Sequence, residues 1–366
     1  IHDGVWLRRC VGRKITWSRE LDVAPTSLAT DAAGNIYYAG VGAGPRGAYV
    51  AIGKLTARGA KAWEARIDGP GHQSEARIRV TPKGTAVYVL GLSTVALPGQ
   101  PAAAKGHRFV ARYSPSGERE WLRQSADFGK PTTTVRAVQR EDGPRIATMS
   151  PDSTPSSLDI DASGNVYVAA GLAADPSTAG DGGAVPLARV VKLDAKGQPV
   201  WTTTMAIAKG DSPYRSLARV LVSKDGQAIF VAAGYFIVKL DGDGEQQWTR
   251  RLAPPAWEHP NPVMRRASKP IPRVDAALQG GRLYVVMTSF GPPWGNGTVA
   301  IVDAESGELK SARVYPVDGW ASRSTIQLLP DGAIMISSAG QDLTTETDGS
   351  WTTLWRVTDM RAPRTP

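Results

Sequence analysis

The segment APPAWEHPNPVMRRASKPIP, residues 253–272, gathers Trp257, His259, Arg265 and Arg266 on a backbone stiffened by six prolines. An aromatic ring beside guanidinium groups can stack on a sugar ring or planar group while pairing with a carboxylate or phosphate. Proline lowers the entropy such a loop loses on binding. Three other segments offer the same chemistry: SPYRS (212–216) carries Tyr214 and Arg215, FGPPWGNG (290–297) carries Trp294, and VDGWASR (317–323) carries Trp320 and Arg323. These nine residues are the candidate partner-binding set. The competing reading of the aromatics is that they seal the ends of the sheets beneath them.

Catalytic patterns are poor by comparison. There is no HExxH, no phosphate-binding Gly-rich loop and no GxSxG. DGDGE (241–245) opens like a calcium loop but lacks the remaining ligand spacing, and reads as a turn. The histidines, His2, His72, His107 and His259, are scattered, and Cys10 is the only cysteine. That excludes a disulfide framework and a CxxC metal site. No catalytic residue, metal ligand or cofactor is assigned.

The chain has 366 residues, a formal net charge of +9, 42% hydrophobic and 21% charged residues. This supports a packed core and argues against wholesale disorder. The positive charge is spread along the chain, which favours an anionic or protein partner over nucleic acid. No apolar run approaches the roughly 18–20 residues that span a bilayer. The longest, AVYVLGLSTVAL (86–97), reads as strand plus loop. The chain starts at Ile1, and the expectation is an exported protein, periplasmic or at the cell surface, whose leader has been removed.

The elements that position these residues are repetitive. One hairpin phrase occurs at 28–40, 77–91, 158–171, 219–234, 274–287 and 325–340, with turn glycines at Gly34, Gly84, Gly164, Gly226, Gly281 and Gly332. A second phrase follows at 50–67, 109–124, 189–205, 236–252 and 299–314. Four of these place Trp63, Trp121, Trp201 and Trp248 four residues after the turn glycine, and the fifth has Ser311 there. The unit is four antiparallel strands, A to D, and units at this period with no helical pattern between them argue for a β-propeller. The repeated tryptophans are expected to be buried between blades.

The expected blades are 26–67, 76–124, 156–205, 216–252, 273–315 and 324–358, with 125–155 as an insertion. The last lacks a D strand, and KITWSREL (14–21) looks like a D strand without its own A–B pair. Pairing of 14–21 with 351–358 would then close a six-bladed ring and remove an open edge. VWLRR (5–9) is a possible further strand at this seam. Seven blades remain an alternative, because 134–150 can form another hairpin.

The phrases DASGNVYVAAG and KLDAKGQPVW resemble the bacterial SBBP propeller repeat. They are also similar to NHL repeats, and the C–D phrase to PQQ-type blades. The resemblance covers most of residues 14–358 and implies a propeller; such families include enzymes, ligand binders and scaffolds, so it implies no one activity. In a propeller the A strands surround a channel. Arg77, Arg79, Arg219 and Arg273, with Arg323, stand on or at the start of A strands, and form an anion-attracting set at the channel mouth unless neighbouring blades neutralise them.

All A–B and C–D turns are tight, and every long insertion is a B–C or D–A connection at the opposite end of the blades. Binding usually lives on loops held by a rigid scaffold. The expected function is therefore a non-enzymatic binding or scaffold module of an envelope or surface assembly, acting through its long-loop face on a protein or an anionic glycan. The alternative is a propeller-type lyase or hydrolase with its site at the channel mouth.

Overall fold

The structure is a computed structural model that describes residues 5–11, 14–44, 47–68, 73–102, 107–128, 136–140, 143–147, 157–171, 184–208, 218–252, 272–289, 295–317, 320–328, 334–342 and 349–357. Among the described residues the regular structure is all strand apart from 3-10 conformation at Ala102 and at Ala126–Phe128. Among the described residues no helix is long and apolar enough to cross a membrane. The chain divides into two compact units, residues 1–168 with 191–200 and residues 169–190 with 201–366.

The first unit opens on a two-stranded pair, β1 (Val5–Val11) and β2 (Lys14–Leu21). Then come two four-stranded meanders. One is β3 (Pro25–Thr30), β4 (Ile36–Gly44), β5 (Gly47–Leu55) and β6 (Lys61–Ile67). The other is β7 (Gln73–Val80), β8 (Val87–Ser93), β9 (Arg108–Tyr113) and β10 (Arg119–Ser125). A separate hairpin, β11 (Arg136–Arg140) with β12 (Gly143–Ala147), follows. The third meander, β13 (Ser157–Ile160), β14 (Val166–Gly171), β15 (Ala184–Leu193) and β16 (Pro199–Ala208), has strands in both units.

In the second unit β17 (Ala218–Val222), β18 (Ala228–Ala233), β19 (Phe236–Asp241) and β20 (Gln246–Arg251) form the fourth meander. The fifth is β21 (Pro272–Gln279), β22 (Arg282–Ser289), β23 (Gly295–Asp303) and β24 (Leu309–Val317). The last sheet has three strands, β25 (Trp320–Leu328), β26 (Ile334–Asp342) and β27 (Gly349–Val357). This is the strand plan of a six-bladed β-propeller.

Why the meanders form is visible in their middle strands. Val87–Ser93 and Val166–Gly171 are buried at every position, because a B strand is covered on both faces and flanked on both edges. The D strands are the outer edges, and they alternate tryptophan or aliphatic residues with Lys, Arg and Glu, as in KAWEARI and REWLRQS. Charge on an edge strand discourages edge-to-edge aggregation.

The repeated tryptophans explain how blades join. Each indole N–H donates to a backbone carbonyl in the next blade's C–D turn: Trp63 to Pro115 (2.9 Å), Trp121 to Ala195 (3.1 Å), Trp201 to Gly242 (3.0 Å) and Trp248 to Glu305 (2.9 Å). The ring lies against the turn glycine two residues further on. A Cβ on Gly117 would come within 2.7 Å of Trp63, and Gly117 also sits at φ +89°. Glycine is thus required there for both space and conformation. The tryptophans are equivalent as expected but only half-buried. Ser311, in the tryptophan's place on β24, has a buried hydroxyl without a hydrogen-bond partner among the described residues.

Trp17 on β2 makes the same contact, donating to Ala57 (3.1 Å) above Gly59. This confirms β2 as a D-type strand. On one edge its described neighbour is β1. The strand beside it starts only a few residues upstream, so this pairing costs little loop-closure entropy. The hairpin is a C–D pair in detail: Arg9 faces Trp17 and the register slips at Cys10, as it slips after Lys54 facing Trp63 and after Lys239 facing Trp248.

The β11–β12 hairpin is not a seventh blade between the second and third. Those two touch directly, through Trp121, through Tyr88 Oη donating to Gly164 O (3.0 Å), and through an Arg79–Asp159 ion pair (3.3 Å).

One prediction arises from the A–B turns. In the first blade the Asp31 carboxylate accepts from the Asn35 backbone (2.9 Å), the Asn35 side chain (2.8 Å) and Tyr37 Oη (3.0 Å). Asp161 repeats the set with Asn165 and Tyr167. Burial raises the Asp31 pKa, but the Asn35 and Tyr37 donors and the Lys54 charge outweigh it, so the carboxyl lies below its ordinary value. A depressed folded-state pKa contributes stability above the unfolded value of about 3.9, and that contribution is lost as pH falls through the folded value. Stability by urea denaturation should therefore drop between pH 5 and pH 3 (pH values on the order of the carboxylate range). Asp31→Asn should cost about 1–3 kcal/mol at neutral pH and flatten part of that acid slope. An unchanged slope in the variant would show that Asp31 is not a source of it.

Candidate partner-binding site

The turn end of the blades is chemically occupied. Within the first blade the Ala57 N–H of the C–D turn donates to Asn35 Oδ1 of the A–B turn (3.2 Å). Toward the second blade, the Ala32 N–H donates to Pro82 O (2.8 Å). The D-strand residue two after the tryptophan adds a bond in several blades: Arg19 Nε to Gly59 O (3.0 Å), Thr203 Oγ1 to Gly244 O (2.9 Å) and Arg250 Nε to Gly307 O (2.7 Å). With the indole bonds, these use the polar groups of the turns to bind blade to blade.

The opposite end of each blade carries the B–C and D–A connections. Residues 94–102 are the best described. They fold back onto β10 and are pinned by Gln124, which is buried. Its Oε1 accepts from Leu97 N (2.9 Å), and its Nε2 donates to Val95 O (3.0 Å) and His107 O (3.1 Å). Gln100 closes the clasp, accepting from Gln124 N (2.8 Å) and donating to Leu122 O (3.0 Å). Leu97 is carried into the core at 2% exposure. This loop is thus a fixed platform, and His107 at its end is buried. Nothing in the sequence pattern marked Gln124; a lone glutamine on an outer strand gives no signal of its own.

Of the candidate residues, Tyr214, Arg215, Trp257, His259, Arg265, Arg266 and Trp294 lie outside the described residues, as do the side chains of Arg273, Trp320 and Arg323. Trp320 and Arg323 belong to β25, not to a long loop: β24 runs to Val317 and β25 begins at Trp320. The register of β25 on β26 slips between Ala321 and Arg323.

Arg77, Arg79 and Arg219 are engaged by neighbours. Arg79 pairs with Asp159 on the next A strand (3.3 Å), and Arg219 with Asp275 on its next A strand (3.0 Å). The other Asp275 oxygen accepts from Ile326 N (3.1 Å). Arg77 Nη1 donates to Thr26 O (3.3 Å). The sequence brought these arginines to notice as an anion-attracting set; the structure makes Arg79 and Arg219 half of an A-strand to A-strand tie.

No protein-family model and no curated relative matches this chain. Solved structures do match. The WD40 domain of Neurospora crassa Pan2 is 11% identical over 90% of this chain and 78% of that one, with a TM-score of 0.44. The WD40 domain of Toxoplasma gondii coronin is 12% identical, covering 87% and 69%, at 0.44. A protein of unknown function from Bacteroides caccae is 13% identical, covering 83% and 86%, at 0.40. These are likenesses to WD40 and other chains, and the blades described above rest on this chain's own strand pairs.

Proposed function

We propose that this chain is a non-enzymatic binding scaffold, exported from the cell, that holds a protein partner of an envelope or surface assembly on the loop end of its blades. The observation that supports this is the division of labour between the two ends. Turn-end polar groups are spent on blade-to-blade bonds, while in the sequence most candidate aromatics and arginines belong to B–C and D–A connections. A rigid frame with variable loops on one side is a binding architecture.

The test is a pull-down with three proteins: wild type, a Trp257→Ala, Trp294→Ala, Trp320→Ala variant, and an Arg265→Ala, Arg266→Ala, Arg323→Ala variant. A protein partner held by aromatic anchors should lose at least about 100-fold in affinity with the tryptophan variant, since anchors cost about 2 kcal/mol or more each. Raising the salt should then change little. An anionic glycan would behave in the reverse way, weakening with salt as exposed charges are screened over about 8 Å. Unaltered binding in both variants would defeat the loop-end assignment. Turnover of a polysaccharide by the wild type, lost in the arginine variant, would favour the lyase or hydrolase reading.

A further inference from the structure

The D strand is the outer edge of each complete blade, and four of the five carry charge there. β6 has Lys61, Glu64 and Arg66; β10 has Arg119, Glu120 and Arg123; β20 has Arg250 and Arg251; β24 has Lys310 and Arg313. The exception is β16, PVWTTTMAIA, which has no charged residue over its ten positions. Charge is one of the devices that keep edge strands from pairing with other chains. The third blade lacks that device on its outer edge.

β16 is last in its sheet, and among the described residues no strand pairs with its outer edge. One side of the strand is engaged with the next blade. Trp201 Nε1 donates to Gly242 O (3.0 Å), Thr203 Oγ1 donates to Gly244 O (2.9 Å), and Met205 is buried. These anchors and their acceptors all lie within the second compact unit. The alternate residues Thr202, Thr204 and Ala206 are exposed, and Val200 is 54% exposed. Thr204 Oγ1 accepts one long bond, from Arg189 Nε on β15 (3.4 Å). Three successive β-branched threonines favour an extended backbone, so the edge is formed in advance.

The strand's own sequence says what pairs with it. About Thr203 the residue classes read alike from either end: Thr202 with Thr204, Trp201 with Met205, Val200 with Ala206. Two such strands set antiparallel about a two-fold axis through Thr203 bring the members of each pair opposite one another. A closed two-fold contact requires that self-complementarity. Threonine opposite threonine is a favourable cross-strand pair, and tryptophan opposite methionine sets a thioether beside an aromatic ring. No like charges meet along the joined edge. Arg189, one strand behind it, would stand three strand spacings from its counterpart, roughly 14 Å, beyond the screening length of about 8 Å.

We propose that the outer edge of β16 is a self-association surface, on which a second copy of this chain adds its own β16 antiparallel to form a closed dimer. Backbone hydrogen bonds along the two edges supply affinity, and the threonine pairs fix the register. This inference stands on the strand itself and does not depend on the loop-end reading.

The test is sedimentation of the full chain over a wide range of concentration. The mass should rise from one chain to two and stop there. A variant with Thr202→Lys and Thr204→Lys sets lysine opposite lysine across the axis, and one with Thr202→Glu and Thr204→Glu sets glutamate opposite glutamate. Each should dimerise at least about tenfold more weakly than the wild type. Mixed in equal amounts, the two variants should recover a dimer, because each lysine then faces a glutamate. That recovery separates loss of the edge contact from misfolding, since two misfolded proteins would not repair each other. A wild-type chain that stays monomeric at every concentration overturns the proposal, whatever covers the edge. So does growth past two copies, and so do dimers as tight in both variants as in the wild type.

Discussion

Trp63→Ala is expected to lower the unfolding free energy by about 3 kcal/mol, the lower end of the range for removing a large aromatic from a packed site. The lower end applies because the ring is only half-buried. The loss has two parts: indole contact with Gly117 and the core around Tyr37 and Tyr113, and the hydrogen bond to Pro115. Gly117→Ala should be costly for the same reason from the other side. Its new Cβ meets the indole at 2.7 Å and is held at φ +89°. Combining the two substitutions separates the causes. The clash disappears with the indole, while the backbone strain stays. Denaturant titrations of the four proteins should give a coupling of about 1 kcal/mol or more, as for side chains in contact. Simple additivity would show that the ring and the turn do not bear on each other.

Removing residues 1–21 should have the largest effect of any change considered. The hairpin supplies the Trp17 contact and the Arg9 and Arg19 bonds to the first blade's C–D turn. It also packs Leu21, Leu7 and Trp17 against Tyr38, Tyr49 and Leu55. One large aromatic at about 3 kcal/mol and hydrogen bonds at about 1 kcal/mol each put the loss near 4 kcal/mol or above. In a chain of 366 residues that is a drop of roughly 5 °C or more in melting temperature. Trp17→Ala should reproduce most of it without shortening the chain. A truncated protein that melts like the intact one would show that the hairpin is not structurally engaged.

The sequence made the repeat legible because its carriers are local. Glycine at a fixed place in a turn, tryptophan four residues later and alternating apolar residues all fall within about one strand pair. What the tryptophans do was only half legible. Their common place marked them as structural, but the carbonyl that Trp63 reaches is 52 residues away and is a backbone atom with no residue signature. The N-terminal hairpin went unread as a C–D pair for a related reason. Trp17 follows Gly12 by five residues instead of four, so the spacing rule passes over it, and only the strand register shows the equivalence. The Arg79–Asp159 and Arg219–Asp275 ties were foreseen only as a general possibility, because A strands in successive blades are some 56 to 80 residues apart in sequence. The loop expected at 315–323 failed because Gly, Asp and Trp in VDGWASR read as a turn, whereas strand pairing extends to within two residues on either side.

The indole contacts all point one way along the chain: a tryptophan leaves one blade and grips the turn of the next. Within residues 14–124 this makes a directional series, Trp17 onto the first blade and Trp63 onto the second. Consider tension applied at the N-terminal end. Load enters through the β1–β2 hairpin and is borne at each stage by one indole, a few hydrogen bonds and one sheet edge, not by all the contacts at once. Contacts loaded in sequence rupture in sequence, so the molecule should yield as a staircase of similar small steps. A substitution at one turn glycine would then weaken the step before its own blade, leaving the step after it unchanged.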